Sequence, residues 1–177
     1  MITFDKGNLR FNYRIAGIAL DNNRVLLEKG FSRVLLEKVE GQDFWFLPGG
    51  RGEFLEPAKQ TLKREMQEEL GVEVEVGRLV WVVENFFTGN DFITDKKMSC
   101  HELGFYFLME LPEKSPLRSL TEFYGEDESF KITLKWHQLS ELRNTPLYPS
   151  FLRTALNNIP DRTEHIVYID ETSQLKD

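Results

Sequence analysis

Apolar runs bounded by turn residues recur along the chain and predict a sheet-rich fold, and in 72–76 apolar and charged residues alternate as in a half-buried strand. The predicted strands lie at 11–20, 24–29, 72–76, 79–87, 100–111 and 130–136, with an edge strand at 165–169. Polar stretches at 88–97 and 112–128 are predicted to be loops, and the last residues, 171–177, a frayed tail.

One segment has the helical period instead. Ala58, Leu62, Met66 and Leu70 fall within about 120° of one another on a helix of 3.6 residues per turn. Pro57 suits the first turn, and Gly71 suits the left-handed position that ends a helix. A second helix is predicted at 149–158 and a short helical turn at 139–142. Strands mixed with two principal helices predict the α/β class.

A six-residue repeat interrupts this regular pattern. The sequence RVLLEK occupies 24–29 and returns at 33–38. A single short repeat does not indicate a solenoid, which needs at least three units. Either the two copies pair as a hairpin, or one copy fills the sheet while the other bulges out. We favour the second copy in the sheet, because it leaves a short connection to Trp45.

Composition limits the class of protein. A chain of 177 residues with 41% hydrophobic content suits one domain, 1–177, with a full core. A net charge of −7 argues against general binding of nucleic acid polymers. The single cysteine, Cys100, fits a reducing compartment, and neither a signal peptide nor an apolar run of membrane-spanning length is present. We therefore expect a cytoplasmic protein that makes no membrane contact.

The predicted helix 58–70 carries a cluster of acid beside its apolar stripe. Glu68 lies about 60° to one side of Glu65, and Glu69 about 40° to the other. Like charges at these spacings destabilise a helix by roughly 0.2–0.5 kcal/mol per pair, and a hard divalent cation such as Mg²⁺ reverses that penalty. Residues 46–52, FLPGGRG, form a glycine-rich turn before the helix, where backbone can approach a ligand closely.

The segment 50–72 resembles the signature of the Nudix (MutT-type) hydrolases. Gly50 is followed by five residues, Glu56, seven residues and then REMQEELGV at 64–72, which matches every specified position of that signature. The resemblance implies a Nudix-type α/β/α sandwich with a mixed β-sheet. It also implies Mg²⁺- or Mn²⁺-dependent attack of water on phosphorus in a nucleoside diphosphate linked to another moiety.

The same resemblance implies roles for individual residues. Glu68 and Glu69 correspond to the principal metal ligands, Glu65 to a further ligand or catalytic base, and the Gly50 carbonyl to a completing ligand. Arg64 is similar to the arginine that orients the adjacent glutamate, and Glu56 to its supporting partner. Leu55 departs from the common pattern, because many members have glycine before the first glutamate; this concerns the shape of the loop more than the chemistry.

Outside the signature, Glu102 is a candidate for an extra ligand or base, and its neighbour His101 is a weaker one. Candidate substrate contacts are Arg51, Phe86 and Phe87. The substrate stays open between a nucleoside triphosphate and a nucleotide sugar. A catalytically silent module that senses a nucleotide is the main alternative, and a structural domain is a third hypothesis. A homodimer is expected by family analogy alone.

Overall fold

The computed structural model describes residues 1–29, 34–36, 44–91, 94–127 and 130–170. The strands are β1 Thr3–Lys6, β2 Leu9–Asp21, β3 Arg24–Lys29, β4 Val34–Leu36, β5 Gly49–Arg51, β6 Glu75–Asp91, β7 Lys97–Glu110, β8 Glu122–Asp127, β9 Phe130–Gln138 and β10 Glu164–Ile169. The helices are α1 Ala58–Leu70 and α2 Leu152–Ala155, with 3-10 segments at Pro116–Arg118 and Leu139–Asn144.

The strands form one mixed sheet in the order β10-β6-β7-β2-β3-β9-β8. The pairs β2/β7 and β10/β6 are parallel, and the other neighbours along this path are antiparallel. Alongside β2 also run β1 and β5, while β4 pairs with the end of β6. The central strand β2 therefore lies between the glycine-rich β5 on one side and its parallel neighbour β7 on the other.

Two apolar cores cover the two faces of the sheet. On one face, Leu62 and Met66 of α1 pack against Ile15 of β2 and Phe107 of β7. On the other face, a second cluster centred on Trp81 packs beneath α2 and the preceding 3-10 segment. The layered α/β arrangement follows from the predicted periodicities, because each element buries one apolar face.

Several predicted boundaries differ from the structure. The segment 79–87 lies within one long strand, β6, which begins at Glu75 and so contains only the last two residues of the predicted strand 72–76. The predicted loop 88–97 is shorter than expected, because β6 continues to Asp91 and β7 begins at Lys97. The predicted helix 149–158 has only one α-helical turn, Leu152–Ala155. The predicted loop 112–128 contains a 3-10 turn and the strand β8, which pairs with β9 and packs on α1. The secondary structure of these segments is set by packing against neighbouring elements, which the local sequence pattern does not show.

The expectation that the second copy of the repeat fills the sheet while the first bulges out is wrong, because both copies contribute a strand to the sheet. The first copy, β3, lies in the sheet between β2 and β9, and Val25, Leu26 and Leu27 are fully buried. From the second copy, Val34–Leu36 pairs in the antiparallel sense with Gly89–Asp91 near the end of β6. The two-residue turn Asn22–Asn23 joins β2 directly to β3, so the first copy needs no long connection. The remainder of the second copy lies outside the described residues.

Half-buried His137 makes the protein sensitive to mild acid. Its ring lies 4.4 Å from that of Trp45, and its Nε2 has no hydrogen-bond partner within the described part of the chain. Burial, and to a lesser degree the charge of Lys135, lower the pKa of His137 from 6.5 to about 4. In mild acid the unfolded chain therefore binds more protons at this residue than the folded chain does. The contribution of His137 to stability is fully present above about pH 6.5 and is lost as the pH falls towards 4.

We expect this histidine to account for a loss of roughly 1–3 kcal/mol in the free energy of unfolding between pH 7 and pH 4. Urea unfolding of the wild type and His137→Phe at both pH values gives, for each protein, the change in the free energy of unfolding between pH 7 and pH 4. The difference between the two changes measures the contribution of His137. An equal change in the free energy of unfolding for the wild type and His137→Phe would contradict the role of His137 in the acid sensitivity.

None of the helices in the described ranges has the length and apolar character that crossing a membrane requires.

Candidate active site

Arg64 is the centre of a hydrogen-bonded cluster on α1. Its Nε and Nη2 donate to the two carboxylate oxygens of Glu56 at 3.0 and 3.1 Å, and Nη2 also donates to the Arg51 carbonyl at 3.2 Å. Thr61 Oγ1 donates to the same Glu56 carboxylate at 2.7 Å. The hydrogen bonds from Arg64 lower the pKa of Glu56. Glu56 therefore fixes the guanidinium against the loop before the helix.

The same guanidinium contacts two of the three acidic residues of α1. Arg64 Nη1 donates to Glu65 Oε1 at 2.9 Å and to Glu68 Oε2 at 3.0 Å. The side chain of Glu68 is 59% exposed, whereas Glu65 and Glu69 are 8% and 5% exposed. Burial raises the pKa of Glu65, and the charge of Arg64 opposes that shift. The three carboxylates thus run from solvent to the interior across one arc of the helix.

Gly50 brings backbone directly against this arc. It belongs to β5, where it pairs with Ile15 of β2. A Cβ at residue 50 would overlap both carboxylate oxygens and the Cδ of Glu65. A residue with a side chain would fit there only if the Glu65 carboxylate moved away, because a Cβ would occupy the space that the carboxylate takes.

The donor set suits a hard divalent cation. Glutamate and backbone carbonyl oxygens are the ligands that Mg²⁺ and Mn²⁺ prefer. No group of three His, Cys, Asp or Glu side chains in the described ranges already stands in a coordinating arrangement. Arg64 holds Glu65 and Glu68, but it uses only one oxygen of each. The chemistry of the residues fits a metal, and Arg64 balances part of their charge here.

The loop before α1 keeps a left-handed residue although its glycine is replaced. Leu55 has φ of 65° and a side chain that is fully exposed. This conformation costs a residue with a Cβ roughly 1–2 kcal/mol and costs glycine little. The departure from the common signature therefore leaves the shape of the loop intact at the expense of strain.

We expect Leu55→Gly to raise the free energy of unfolding by about 0.5–1 kcal/mol, since the relief of strain exceeds the added entropy of the unfolded chain. Chemical denaturation measures the change. The matched control is Leu55→Ala, which also removes the exposed side chain but keeps the Cβ, and which should bring no such gain. If Leu55→Gly were less stable than Leu55→Ala, the claim that the backbone of Leu55 is strained would be contradicted.

Glu102 lies on the sheet near Arg14, a residue that the sequence analysis did not single out. On β7 it is opposite Asn12 of β2 and Asn85 of β6, and Asn85 Nδ2 donates to its Oε1 at 3.5 Å. Two residues further along, half-buried Arg14 of β2 faces Gly104. Arg14 Nη2 donates to the Leu47 carbonyl at 3.1 Å, which joins β2 to the chain just before β5.

The predicted substrate contacts separate into different places. Phe86 stacks on His101 with ring centroids 4.3 Å apart, whereas the next residue, Phe87, packs against Met98 and Cys100. Successive residues of a strand point to opposite faces, so the two phenylalanines do not share one pocket. The Arg51 carbonyl accepts from Arg64, which ties its backbone to the site.

The chain is similar to proteins of one known family. A family model of the NUDIX domain matches residues 12–157. An RNA pyrophosphohydrolase of Teredinibacter turnerae is 28% identical over 127 residues, which cover 68% of this chain and 74% of that protein.

Solved structures show the same fold. An ADP-ribose pyrophosphatase from Streptococcus suis has a TM-score of 0.51 at 17% identity, covering 88% of this chain and 98% of its own. A NUDIX hydrolase from Nitrosomonas europaea has a TM-score of 0.56 at 18% identity, covering 90% and 79%. At these identities the likeness concerns the fold alone, and it confirms the predicted α/β class with a mixed sheet.

Proposed function

Because the chain belongs to the Nudix hydrolase family, we propose that it hydrolyses the pyrophosphate bond of a nucleoside diphosphate linked to another group. The proposed ligands of Mg²⁺ or Mn²⁺ are Glu65, Glu68, Glu69 and the Gly50 carbonyl. The observation that carries this proposal is the close approach of the Gly50 backbone to the Glu65 carboxylate. It joins the glycine loop and the acidic helix into one oxygen-rich site.

The chain's own residues supply position and charge. Glu56 anchors Arg64, and Arg64 in turn orients Glu65 and Glu68. A bound divalent cation neutralises phosphate oxygens and lowers the pKa of a coordinated water. Hydrolysis of a phosphoanhydride needs mainly such positioning and charge stabilisation.

We propose Glu65 as the group that accepts the proton of the attacking water. Its carboxylate is held by Arg64 and packed against Gly50, and a fixed geometry favours proton transfer. Glu102 is the alternative base, but it accepts from Asn85 in the middle of the sheet. Glu102 is therefore proposed to shape the inner wall of the site.

The substrate class is proposed from the chemistry and from the relatives. A small nucleotide derivative fits an acidic protein whose metal carries the compensating charge. A second candidate is the 5′ end of an RNA, because the 28% identical relative is an RNA pyrophosphohydrolase. This second candidate differs from the expectation that the chain binds no nucleic acid polymer.

A substrate panel with Mg²⁺ tests the proposal. The panel contains nucleoside triphosphates, nucleotide sugars, ADP-ribose, dinucleoside polyphosphates and a 5′-triphosphorylated RNA oligonucleotide. We expect metal-dependent release of phosphate-containing products from at least one member, with ¹⁸O from labelled water on phosphorus. Preference for the oligonucleotide over the free nucleotides would select the second candidate.

Negative outcomes are also decisive. Tight binding of a panel member with no turnover in Mg²⁺ or Mn²⁺ would replace hydrolysis with nucleotide sensing. Turnover that persists at full rate in EDTA would contradict the proposed dependence on a metal.

A further inference from the structure

The strand β10 is at one end of the described sheet, where it pairs along its length, Glu164–Ile169, with β6. Asp170, directly after it, still donates its backbone N–H to the carbonyl of Phe86 on β6, at 2.8 Å. Successive residues of a strand direct their backbone groups to opposite sides, so every second residue of β10 directs its N–H and C=O away from β6. These residues are His165, Val167 and Ile169. Within the described ranges, no strand pairs with that outer edge.

The outer edge of β10 lacks the features that usually protect an edge strand. Natural proteins place lysine, proline or a β-bulge at such edges to prevent pairing with another chain. The strand reads EHIVYI, and its register with β6 is continuous over all six residues. Val167 and Ile169 are 55% and 43% exposed. An exposed edge with β-branched side chains is a template for a further strand.

Contacts on both faces of the sheet hold β10 in its extended form. On one face, His165 Nε2 lies 2.8 Å from Glu84 Oε1 of β6. On the other face, the Tyr168 hydroxyl lies 2.6 Å from Ser150 Oγ, and Ile166 packs against the core beneath α2. A strand that is already fixed loses little conformational freedom when it pairs, so the edge is preorganised for binding.

We propose that β10 pairs in the antiparallel sense with β10 of a second copy of the chain, which forms a homodimer with one sheet continuous across a two-fold axis at Ile166. In this register His165 lies opposite the partner's Val167, so the backbone groups that each directs outward form hydrogen bonds with one another. Ile166 lies opposite the partner's Ile166, and each covers the half-buried side chain of the other. This inference does not depend on the proposed function.

Charge selects this register among those that the backbone permits. Outward-directed groups meet each other only when the two-fold axis passes through a residue. An axis at Ile166 places Arg162, exposed before β10, opposite the partner's Asp170, twice by symmetry. An axis at Val167 places Glu164 opposite the partner's Asp170 instead, and like charges directly opposite each other are destabilising. An axis at the preceding histidine brings no opposite charges together.

Sedimentation equilibrium of the wild type from about 1 to 500 µM tests the proposal. Pairing of one short strand buries less than the roughly 1,200 Å² of a standard interface, so we expect a dissociation constant on the order of 10 µM. Val167→Pro removes an outward-directed N–H, and proline is tolerated at such an edge position, so the variant should fold and dimerise at least about 10-fold more weakly. Val167→Thr keeps the N–H and the branched shape, and should dimerise as the wild type does.

Reversal of charge gives a second readout that leaves the backbone unchanged. Asp170→Arg places two arginines opposite each other at both ends of the pair and should weaken the dimer about 5-fold or more. Arg162→Glu/Asp170→Arg exchanges the charges and should restore the affinity to within about 2-fold of the wild type. If Val167→Pro does not fold, these variants make the same comparison. Equal affinity of the wild type and Asp170→Arg would overturn the register.

Disulfide formation measures the register directly. Opposite residues in a non-hydrogen-bonded antiparallel pair have Cα atoms about 4.5 Å apart, which lies within the roughly 4.4–6.8 Å that a disulfide spans. We expect Ile166→Cys to form a covalent dimer under mild oxidation. Val167→Cys should not, because its sulfur faces the partner's His165, and the buried native Cys100 should keep the wild type monomeric in the same assay. Preferential cross-linking of Val167→Cys would overturn the register.

The remaining outcomes concern what occupies the edge. A wild type that stays monomeric over the whole concentration range overturns the homodimer. Slow amide hydrogen exchange at residues 165, 167 and 169 of such a monomer would show that another segment of the chain covers the edge, and fast exchange would show that the edge is open to a different protein. Turnover does not enter any of these measurements, so failure of the proposed hydrolysis leaves the dimer standing, and failure of the dimer leaves the hydrolysis standing.

Discussion

We expect Glu68→Gln and Glu69→Gln each to reduce turnover by more than about 100-fold, a larger loss than the 10–100-fold that typically follows removal of a residue that hydrogen-bonds a metal ligand. An amide keeps the size and shape of the side chain but loses the anionic oxygen that binds a cation. The exposed Glu68 loses one hydrogen bond from Arg64, so its replacement leaves the fold intact. Steady-state kinetics over a range of Mg²⁺ concentrations measures the loss.

Glu73→Gln provides the matched control for these variants. Glu73 is exposed just after α1 and should retain wild-type turnover. Circular dichroism of all three variants verifies that the fold is intact. Full Mg²⁺-dependent activity in a folded Glu68→Gln or Glu69→Gln would remove that residue from the set of ligands.

Gly50→Ala is expected to reduce activity by a similar factor, for a different reason. The added methyl group would occupy the position of the Glu65 carboxylate, and the neighbouring Arg64 hydrogen bond depends on that carboxylate. Either Glu65 rotates out of the site or β5 moves away from β2. A displacement of about 1 Å is enough to cost on the order of 100-fold in rate. Kinetics of the variant at saturating Mg²⁺ measures the loss.

Gly77→Ala is the control for this substitution. A Cβ at Gly77 would lie 3.3 Å from the Cβ of Leu108, and its three nearest atoms all belong to Leu108, so only a small adjustment is needed. We expect it to change stability slightly and to leave turnover unchanged. Wild-type activity in Gly50→Ala would show that the close approach to Glu65 has no part in catalysis.

The parts of the fold with strong local periodicity could be predicted from the sequence. The apolar stripe of Leu62 and Met66 identified α1, and Gly71 ends it in the left-handed conformation with φ of 66°. Most of the long strands β2 and β7 was predicted from their extended apolar runs, and the middle of β6 from the run at 79–87. Residues 122–127 could not be predicted as a strand, because their pairing partner β9 and their contact with α1 are distant in sequence.

The repeat shows a different limit. Both copies of RVLLEK have the same intrinsic preference for a strand, so the pattern alone could not decide between them. The decision rests on long-range pairing: the first copy has β2 and β9 on its two sides. The second copy would have given a short connection to Trp45, but the tight turn at Asn22–Asn23 joins the first copy directly to β2.

The site was predictable where its residues share one segment. Glu56, Arg64 and Glu65 lie within the signature, and the structure places them in one hydrogen-bonded cluster. Arg14 was missed because a charged residue at an alternate strand position is indistinguishable from a solvent-facing one. Its hydrogen-bond partner, the Leu47 carbonyl, is remote in sequence.

The most direct test of the metal site is a calorimetric titration of Mn²⁺ into the wild type and into Glu68→Gln/Glu69→Gln. The account predicts a saturable isotherm with defined stoichiometry for the wild type and loss of that binding in the folded double variant. An identical isotherm for the two proteins would place the ion elsewhere and contradict the central claim that these glutamates hold it.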